Sequence, residues 1–400
     1  MLDLVCQIYK ELTMERLIGK DSAEIVRLRM RRLRSPALCR RILERKANKS
    51  GITTIDDQLL NKKAEGLSAA VDSALGYLET KASDLNSRVL SRYYGLMQLT
   101  IAEQVGSLEN DNDLATIQSY SEKGHGLYTI NNKEDSFPGG FYVYITKSGY
   151  FSSYAAVRKI DTDSFTFKKR QGTFRREDIE KYVSLIDLFR RIPELKEQIP
   201  EYFDQEPLCF MVRDEGKKAE FDKRFEEEID ANRLEGSSQI SGMNHEYIQI
   251  YPQTDKLTLE QIREYKWPFD GIVEAENIIE QKKYFVGRLY YNTDPFEVKK
   301  GIFYSSDYSL LCYMIPLFRT IEDPILVNLM LTYALSIVVR YMPDTWFRIL
   351  KGDLNHLGSL IEYYMSVFDR VIQIRLLSRI TGESIYILSS DRSYASPDNK

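Results

Sequence analysis

The chain has 400 residues, of which 43% are hydrophobic and 28% are charged, and its formal net charge is −4. This composition excludes a disordered or low-complexity protein, and the acidic balance argues against wholesale wrapping of nucleic acid while allowing a local basic patch. The 27 tyrosines are unusual. Tyrosine packs apolar area while keeping one polar end, which suits half-buried surfaces and interfaces.

Cysteine and histidine usage offers no zinc framework. The four cysteines are far apart, no CxxC pair occurs, and the chain has three histidines. We therefore expect reduced thiols in the cytoplasm, and neither a metal nor another cofactor. The first residues carry early acids and no long apolar core, so we expect no signal peptide.

The first quarter of the chain predicts helices. Apolar residues recur at three- and four-residue spacing over 59–78, with Asp56 or Asp57 as the N-cap. A second helix is expected from Asn86 to Val105. Residues 106–138 are expected to be a connection, because an Asn/Asp cluster and several glycines interrupt the pattern.

From Phe141 onward the apolar residues alternate, which predicts strands. Tyr150 to Ile160 and Ser164 to Lys169 are the next expected strands. Further strand candidates are Pro207–Arg213, Glu246–Tyr251, Phe285–Tyr291 and Gly301–Tyr304. The highly charged stretch 214–236 is expected to be an exposed helical excursion.

The chain returns to a helical pattern after Pro324. The run Ile325–Tyr341 is apolar nearly all round. Its most apolar part is about 15 residues, shorter than the roughly 20 residues of a membrane span, so we expect a buried helix and no span. Leu354–Ile380 predicts one or two amphipathic helices.

The terminal helices need partners for their apolar faces, and each other is the simplest partner. We therefore expect an α+β fold, with one mainly helical domain built from both chain ends and a β-rich central insertion. The expected segments are a basic helical N-terminal segment (1–54), the first part of the split helical domain (55–135), the β-rich central region (139–310) with its charged helical excursion (214–236), the second part of the helical domain (320–388) and a flexible tail (389–400).

Several short stretches carry a family resemblance. They are Lys62–Ser68 with Tyr77, Ser91–Met97, Gly124–Leu127, Ser184–Phe189 with Arg191–Leu195, and Ala334–Ser336 with Arg340–Pro343 and Trp346. In their order and spacing these stretches resemble the YaaC-like bacterial protein family. The resemblance implies no reaction and no cofactor. The helical parts are also similar to HEPN-type domains, several of which belong to RNA-cutting or phage-defence systems, an analogy at the level of the fold.

Two histidines are candidates for nuclease chemistry. The HEPN-type pattern is an arginine followed, after four to six residues, by a histidine on the same helix face. Arg348 and His356 come nearest, but seven residues separate them, and the alternative is a helix end and loop near Gly352. His125 lies in a Gly-His-Gly-Leu turn, where it could act as a general base, bind phosphate or fix the turn by hydrogen bonds to the backbone. Phosphate loops, dinucleotide fingerprints and nucleophile elbows do not occur in the sequence.

The strongest anomaly is a basic segment opposed only by Glu44. Its ten basic residues are Arg27, Arg29, Arg31, Arg32, Arg34, Arg40, Arg41, Arg45, Lys46 and Lys49. Arginine favours bidentate contact with phosphate or carboxylate, so a nucleic-acid backbone and an acidic partner protein are both candidates. The alternatives are a solvated helix face paired with the protein's own acids and a membrane-surface helix.

These features favour a non-enzymatic interaction or regulatory subunit of a bacterial cytoplasmic complex, associated with nucleic acid or with phage defence. We expect a protein partner in a multi-subunit complex, with nucleic acid bound through Arg27–Lys49 and self-association as further options. The alternative hypothesis is a HEPN-like ribonuclease with an atypical active site that uses His125 or the Arg348/His356 pair.

Overall fold

Helices from both chain ends flank a strand-rich middle in the computed structural model of the chain, which describes residues 14–18, 21–52, 56–80, 84–216, 244–252, 257–264, 270–277, 282–291 and 311–388. This order confirms the predicted α+β class. The chain divides into two compact units. The first unit contains residues 1–129, 144–172 and 329–400, and the second contains residues 130–143 and 173–328.

The basic segment near the N-terminus folds into two helices joined by a tight turn. α1 (Ser22–Arg31) begins at Asp21, whose carboxylate accepts two backbone N–H groups of the first turn. A 3-10 turn (Arg32–Arg34) leads into α2 (Pro36–Lys49), which has a serine N-cap and a proline at its first position. The predicted helical character of this segment is confirmed from Ser22 onward.

A strand precedes these helices, where the sequence predicted a helix. β1 (Met14–Ile18) pairs in parallel with β10 (Ser384–Leu388), in the register Met14↔Ser384 to Ile18↔Leu388. The prediction of a wholly helical segment 1–54 was therefore wrong at residues 14–18. The pairing joins segments near opposite ends of the chain. The spacing of apolar residues within one segment does not indicate a strand partner that is distant in sequence.

Two long helices form the middle of the first unit. α3 (Asp57–Leu78) and α4 (Leu85–Val105) begin at the N-caps Asp56 and Asp84, and they pack against each other. Their apolar residues follow the helical period and are buried, as the spacing predicted. Gly95 permits a close approach, since a methyl group there would lie 2.7 Å from a Leu78 side-chain carbon.

Three helices from the other end of the chain follow. They are α10 (Pro324–Tyr341), α11 (Pro343–Lys351) and α12 (Asn355–Thr381). α10 is long and apolar enough to cross a membrane by length and composition, yet 72% of that stretch is buried inside the protein, as in a core helix. α12 packs against α1 and α4, so helices from both chain ends share one core in the first unit.

The strands lie mainly in the second unit. They form a five-stranded antiparallel sheet in the order β7-β8-β6-β5-β9. Its strands are β5 (Cys209–Gly216), β6 (Asn244–Pro252), β7 (Asp270–Asn277), β8 (Lys282–Tyr291) and β9 (Leu311–Met314). A core of Phe210, Ile248, Ile250 and Phe285 covers one face of this sheet. The strand predictions at β5, β6 and β8 are confirmed.

Shorter elements complete the chain. A three-stranded sheet has the order β2-β3-β4. The remaining elements are β2 (Leu127–Asn131), β3 (Phe141–Ile145), β4 (Val183–Ser184), α5 (Leu114–Ser121), α6 (Tyr150–Val157), α7 (Leu185–Arg190), α8 (Ile199–Phe203) and α9 (Leu259–Arg263).

Four further predictions of local structure were wrong. The expected strand Ser164–Lys169 contains only an isolated bridge from Phe167 to Thr146, and residues 214–216 of the expected helical excursion belong to β5. Tyr150–Ile160 was expected to be a strand but contains α6, because Tyr150, Phe151, Tyr154 and Ala155 are all buried and recur at helical spacing. The connection 106–138 contains α5 and β2. The strand expected at 301–304, residues 217–236 of the charged excursion and the tail 389–400 lie outside the described residues.

Candidate functional site

Four arginines of the predicted basic segment surround one cavity in the first unit. Arg29, Arg32, Arg41 and Arg45 line a cavity of about 450 Å³, together with the carboxylate residue Glu44 and apolar side chains that include Leu33 and Ile42. We call these four arginines the arginine face. They come together because α1, the 3-10 turn and α2 fold against one another, which places residues separated in sequence on one side of the helical pair.

Carboxylates of the same unit pair with part of this basic segment. Arginines that do not line the cavity make the pairs Arg27–Glu24 (3.6 Å), Arg31–Glu79 (2.7 Å) and Arg34–Asp72 (2.7 Å). Arg40 pairs with Asp57 and, at 2.9 Å, with Glu44, which lines the cavity. The Arg40 pairs lower the pKa of the Asp57 carboxyl. Asp72 and Asp57 of α3, and Glu79 at its C-cap, thus neutralise arginines that do not line the cavity.

Glu383 is a second acid at the arginine face, besides Glu44. Its carboxylate lies 2.6 Å from an Arg45 nitrogen and 3.6 Å from an Arg29 nitrogen. Arg41 is exposed and has no hydrogen bond or ion pair with any residue in the described part of the chain. The cavity therefore retains guanidinium donors that face solvent.

Lys46 belongs to the predicted basic segment but points into the protein. Its Nζ donates to the backbone carbonyls of Gly106 (2.6 Å) and Ile380 (3.2 Å). Burial lowers the pKa of Lys46 to about 8. This lysine stabilises the contact of α2 with the C-terminal ends of α4 and α12. Its charge therefore does not face a binding partner.

His125 is held by a rigid loop of the first unit. Backbone hydrogen bonds tie the loop to residues 146–151: Tyr150 N–H donates to Gly124 O, Phe151 N–H to His125 O and Thr146 N–H to Gly126 O, each at 2.9 Å. Gly124, Gly126 and Gly149 adopt positive φ angles of 89°, 74° and 117°. The backbone at Gly149 lies so close to the backbone of Gly124 and Gly126 that no side chain fits at Gly149.

Tyrosines and one arginine surround the His125 ring. Tyr93 Oη lies 2.9 Å from His125 Nδ1, and the rings of Tyr93 and Tyr333 lie 5.9 and 5.8 Å from the imidazole. Burial and the positive charge of Arg340 lower the pKa of His125, so the imidazole is neutral at physiological pH. We call His125, Tyr93, Tyr333 and Arg340 the tyrosine–histidine–arginine cluster.

The sequence prediction found His125 but missed the rest of this cluster. Its members come from α4, from the loop before β2 and from α10. A signal did exist, since Tyr93, His125 and Arg340 each lie in a different one of the stretches that carry the family resemblance. No spacing rule joins residues that far apart in sequence, so the fold is needed to bring them together.

The Arg348/His356 pair has a different arrangement. Arg348 on α11 makes two hydrogen bonds to the Asp353 carboxylate, at 2.8 and 2.7 Å, and this contact raises the pKa of Arg348 and lowers that of Asp353. His356 is exposed at the start of α12. Gly352 separates the two helices, as the alternative interpretation of this pair expected.

Within the described ranges, no group of three His, Cys, Asp or Glu side chains is placed to hold a metal ion. Cys39 is buried as a free thiol, and burial raises its pKa to about 12. A thiol with that pKa stays protonated and unreactive at neutral pH.

The fold and the site define an α+β protein whose mainly helical unit, built from both chain ends, carries an arginine-lined cavity and a buried tyrosine–histidine–arginine cluster. A family model described as YaaC-like Protein matches residues 31–380, and the chain therefore belongs to the YaaC-like family. Searches of the curated proteins and of the solved structures found no match.

Proposed function

We propose that this chain is a non-enzymatic interaction subunit of a bacterial cytoplasmic assembly, and that the arginine face binds the phosphate backbone of a nucleic-acid strand. The observation that carries the proposal is the set of four arginines around one cavity of about 450 Å³ in a protein of net negative charge. Arginine forks match phosphate oxygens in bidentate geometry, and backbone contacts of this kind need no base-specific chemistry.

Charge placement supports nucleic acid over a solvated surface. The ion pairs with Glu79, Asp72 and Asp57 involve arginines that do not line the cavity, so binding a phosphate there breaks none of them. Arg29 and Arg45 would share their donors between the phosphate and Glu383. The apolar lining contributed by Leu33 and Ile42 gives the sugar a surface to pack against. An acidic partner protein is the competing ligand for the same donors.

A salt titration of binding tests the proposal. Fluorescence anisotropy with labelled single-stranded RNA, single-stranded DNA and duplex DNA gives the slope of log affinity against log salt. Each lost phosphate contact lowers that slope by about 1. We expect the double variant Arg32→Gln/Arg41→Gln to lower the slope by about 2.

Arg40 provides the matched control, because it neighbours Arg41 in sequence, does not line the cavity and is paired with Glu44 and Asp57. Arg40→Gln should leave the salt slope unchanged. Equal slopes for the wild type and the double variant, or no binding to any of the three nucleic acids, would overturn the proposal. Binding of an acidic polypeptide alone would assign the arginine face to a protein partner instead.

A second candidate function is a HEPN-like ribonuclease with an atypical active site. The observation that favours it is the chain of contacts from an arginine to a histidine on separate elements: Arg340 Nη1 donates to Tyr94 Oη at 3.2 Å, and Tyr94 packs on Tyr93, the hydrogen-bond partner of His125. The test is RNA cleavage with added divalent metal and with chelator. Activity lost in His125→Ala and retained in His356→Ala would support it, and activity that survives both substitutions would exclude both histidines.

A further inference from the structure

Arg340 is a half-buried cation whose counterion the described part of the chain does not contain. No carboxylate there lies within ion-pair distance of its guanidinium. Three of its five N–H donors are used: Nε to Ser336 O at 3.1 Å, Nη1 to Tyr94 Oη at 3.2 Å and Nη2 to Ser336 Oγ at 3.1 Å. Two donors have no acceptor among the described residues.

His125 adds a further donor, and it is linked to Arg340 through Tyr93 and Tyr94. Burial raises the pKa of Tyr93, so its hydroxyl stays protonated, and His125 Nδ1 is its hydrogen-bond partner. When the Tyr93 O–H donates to Nδ1, the imidazole proton is on Nε2. Within the described residues this Nε2–H has no acceptor.

Tyr333 adds a third kind of donor. It precedes Arg340 by seven positions on α10, two helical turns away on the same face. Burial raises the pKa of Tyr333 to about 12, so the phenol is protonated at neutral pH. Its hydroxyl makes no hydrogen bond to another described residue.

Among the described residues, the cluster therefore presents several donors and no competing acid. Buried and half-buried polar groups are nearly always hydrogen-bonded in native proteins, and a surplus of donors beside a cation is complementary to an oxyanion. The acceptors used by Arg340 are neutral oxygens of Ser336 and Tyr94, so an arriving anion does not have to displace a carboxylate.

Exposed aromatic rings border the same guanidinium. The Tyr341 ring lies 5.1 Å from the Arg340 carbon Cζ and is 68% exposed. On the other side, Tyr94 stacks on the partly exposed Tyr77 with ring centroids 5.4 Å apart. Flat aromatic surfaces beside an anion site fit a phosphate ester that carries a planar base.

We propose that Arg340, His125 and Tyr333 bind the phosphate of a nucleotide whose base stacks on Tyr341. This site is distinct from the arginine face, and its existence does not depend on nucleic-acid binding there. It makes the first unit a nucleotide-responsive module, in which the ligand bridges α10 to the loop that carries His125.

Calorimetric titration of the full chain with AMP, adenosine and inorganic phosphate tests the proposal. AMP should bind at least about tenfold more tightly than inorganic phosphate, because a stacked base adds to the anion contacts, and adenosine should not bind measurably. Arg340→Gln should weaken AMP binding by at least about tenfold, since it removes a charged hydrogen-bonding group. Tyr341→Ala should weaken AMP without changing inorganic phosphate.

Tyr333→Phe removes one hydroxyl and keeps the ring in the core, so it tests the site even if Arg340→Gln does not fold. We expect several-fold weaker AMP binding in this variant. Arg348→Gln is the control, because it removes one positive charge elsewhere, and it should not change AMP affinity. Wild-type protein that does not bind AMP, or affinity unchanged in both Arg340→Gln and Tyr333→Phe, would overturn the proposal. Equal affinity for phosphate and AMP would overturn the assignment of a nucleotide.

Discussion

A buried ion pair ties together the helices that come from opposite ends of the chain. Arg92 on α4 donates from Nε and Nη2 to the two Asp369 oxygens on α12, both at 2.8 Å. The two side chains are only 8% and 16% exposed. Replacing Arg92 by methionine leaves the carboxylate largely buried without its cation, which typically costs about 3–5 kcal/mol.

The structure places Arg92→Met at the lower end of that range. Asp369 also accepts a hydrogen bond from Gln373 Nε2 at 3.1 Å, so the carboxylate keeps one donor. We therefore expect a loss of about 3 kcal/mol in the free energy of unfolding. The double variant Arg92→Met/Asp369→Leu should recover most of this loss, because it replaces both charges by apolar groups.

Urea denaturation followed by circular dichroism measures these changes. Arg348→Met is a matched control, since Arg348 makes the same bidentate contact to Asp353 but both partners are exposed, at 41% and 66%. It should change stability far less than Arg92→Met does. An Arg92→Met protein within about 0.5 kcal/mol of wild type would refute the inference that this pair holds α4 to α12.

Three further predictions concern the loop, a buried lysine and the cluster. Gly149→Ala should destabilise the protein by about 2 kcal/mol or more, because the φ of Gly149 is 117° and a methyl group there would lie 2.5 Å from a backbone atom. Gly172→Ala is the control and should be neutral, since the space around Gly172 is open. Equal melting temperatures for the two variants would contradict this prediction. Burial lowers the pKa of Lys63 from 10.5 to about 8, so between these pH values the unfolded state binds more protons than the folded state. The free energy of unfolding of the wild type, relative to that of Lys63→Met, should therefore rise with pH across this window in denaturation measurements. A difference that falls with pH would contradict this prediction. In Arg340→Met the pKa of His125 should rise, since the arginine charge helps to lower it, and an unchanged pH titration of the imidazole signals by NMR would show that the two side chains do not interact.

The helices with clear caps and apolar spacing could be predicted from the sequence. Asp56 caps α3 as expected, and α4 and α12 lie within a residue or two of their predicted limits. Each of these helices is specified by residues inside it, so a local pattern is sufficient.

Elements specified by distant partners could not be predicted in this way. β1 exists because it pairs with β10 at the other end of the chain. The aromatic side chains of α6 have a propensity for strands, but in this protein they form a helix because they are buried at helical spacing. In both cases contacts with distant parts of the chain, and not the local sequence pattern, determine the secondary structure.

The two candidate sites also differ in how much of each could be predicted from the local sequence. The arginine face lies in one continuous segment, so its charge is visible in the sequence, although the carboxylates that neutralise Arg31 and Arg34 are on α3. The surroundings of His125 depend on α4 and α10, and only the fold shows that Arg340 is near.

Photo-cross-linking of bound RNA to the wild-type chain, followed by mass spectrometry of the peptides, tests the proposed function most directly. The account predicts that the cross-linked peptides come from residues 27–49, with Arg32 and Arg41 at the contact, and that Arg32→Gln/Arg41→Gln abolishes them. Cross-links confined to other parts of the chain, or none at all under conditions of binding, would contradict the assignment of nucleic-acid binding to the arginine face.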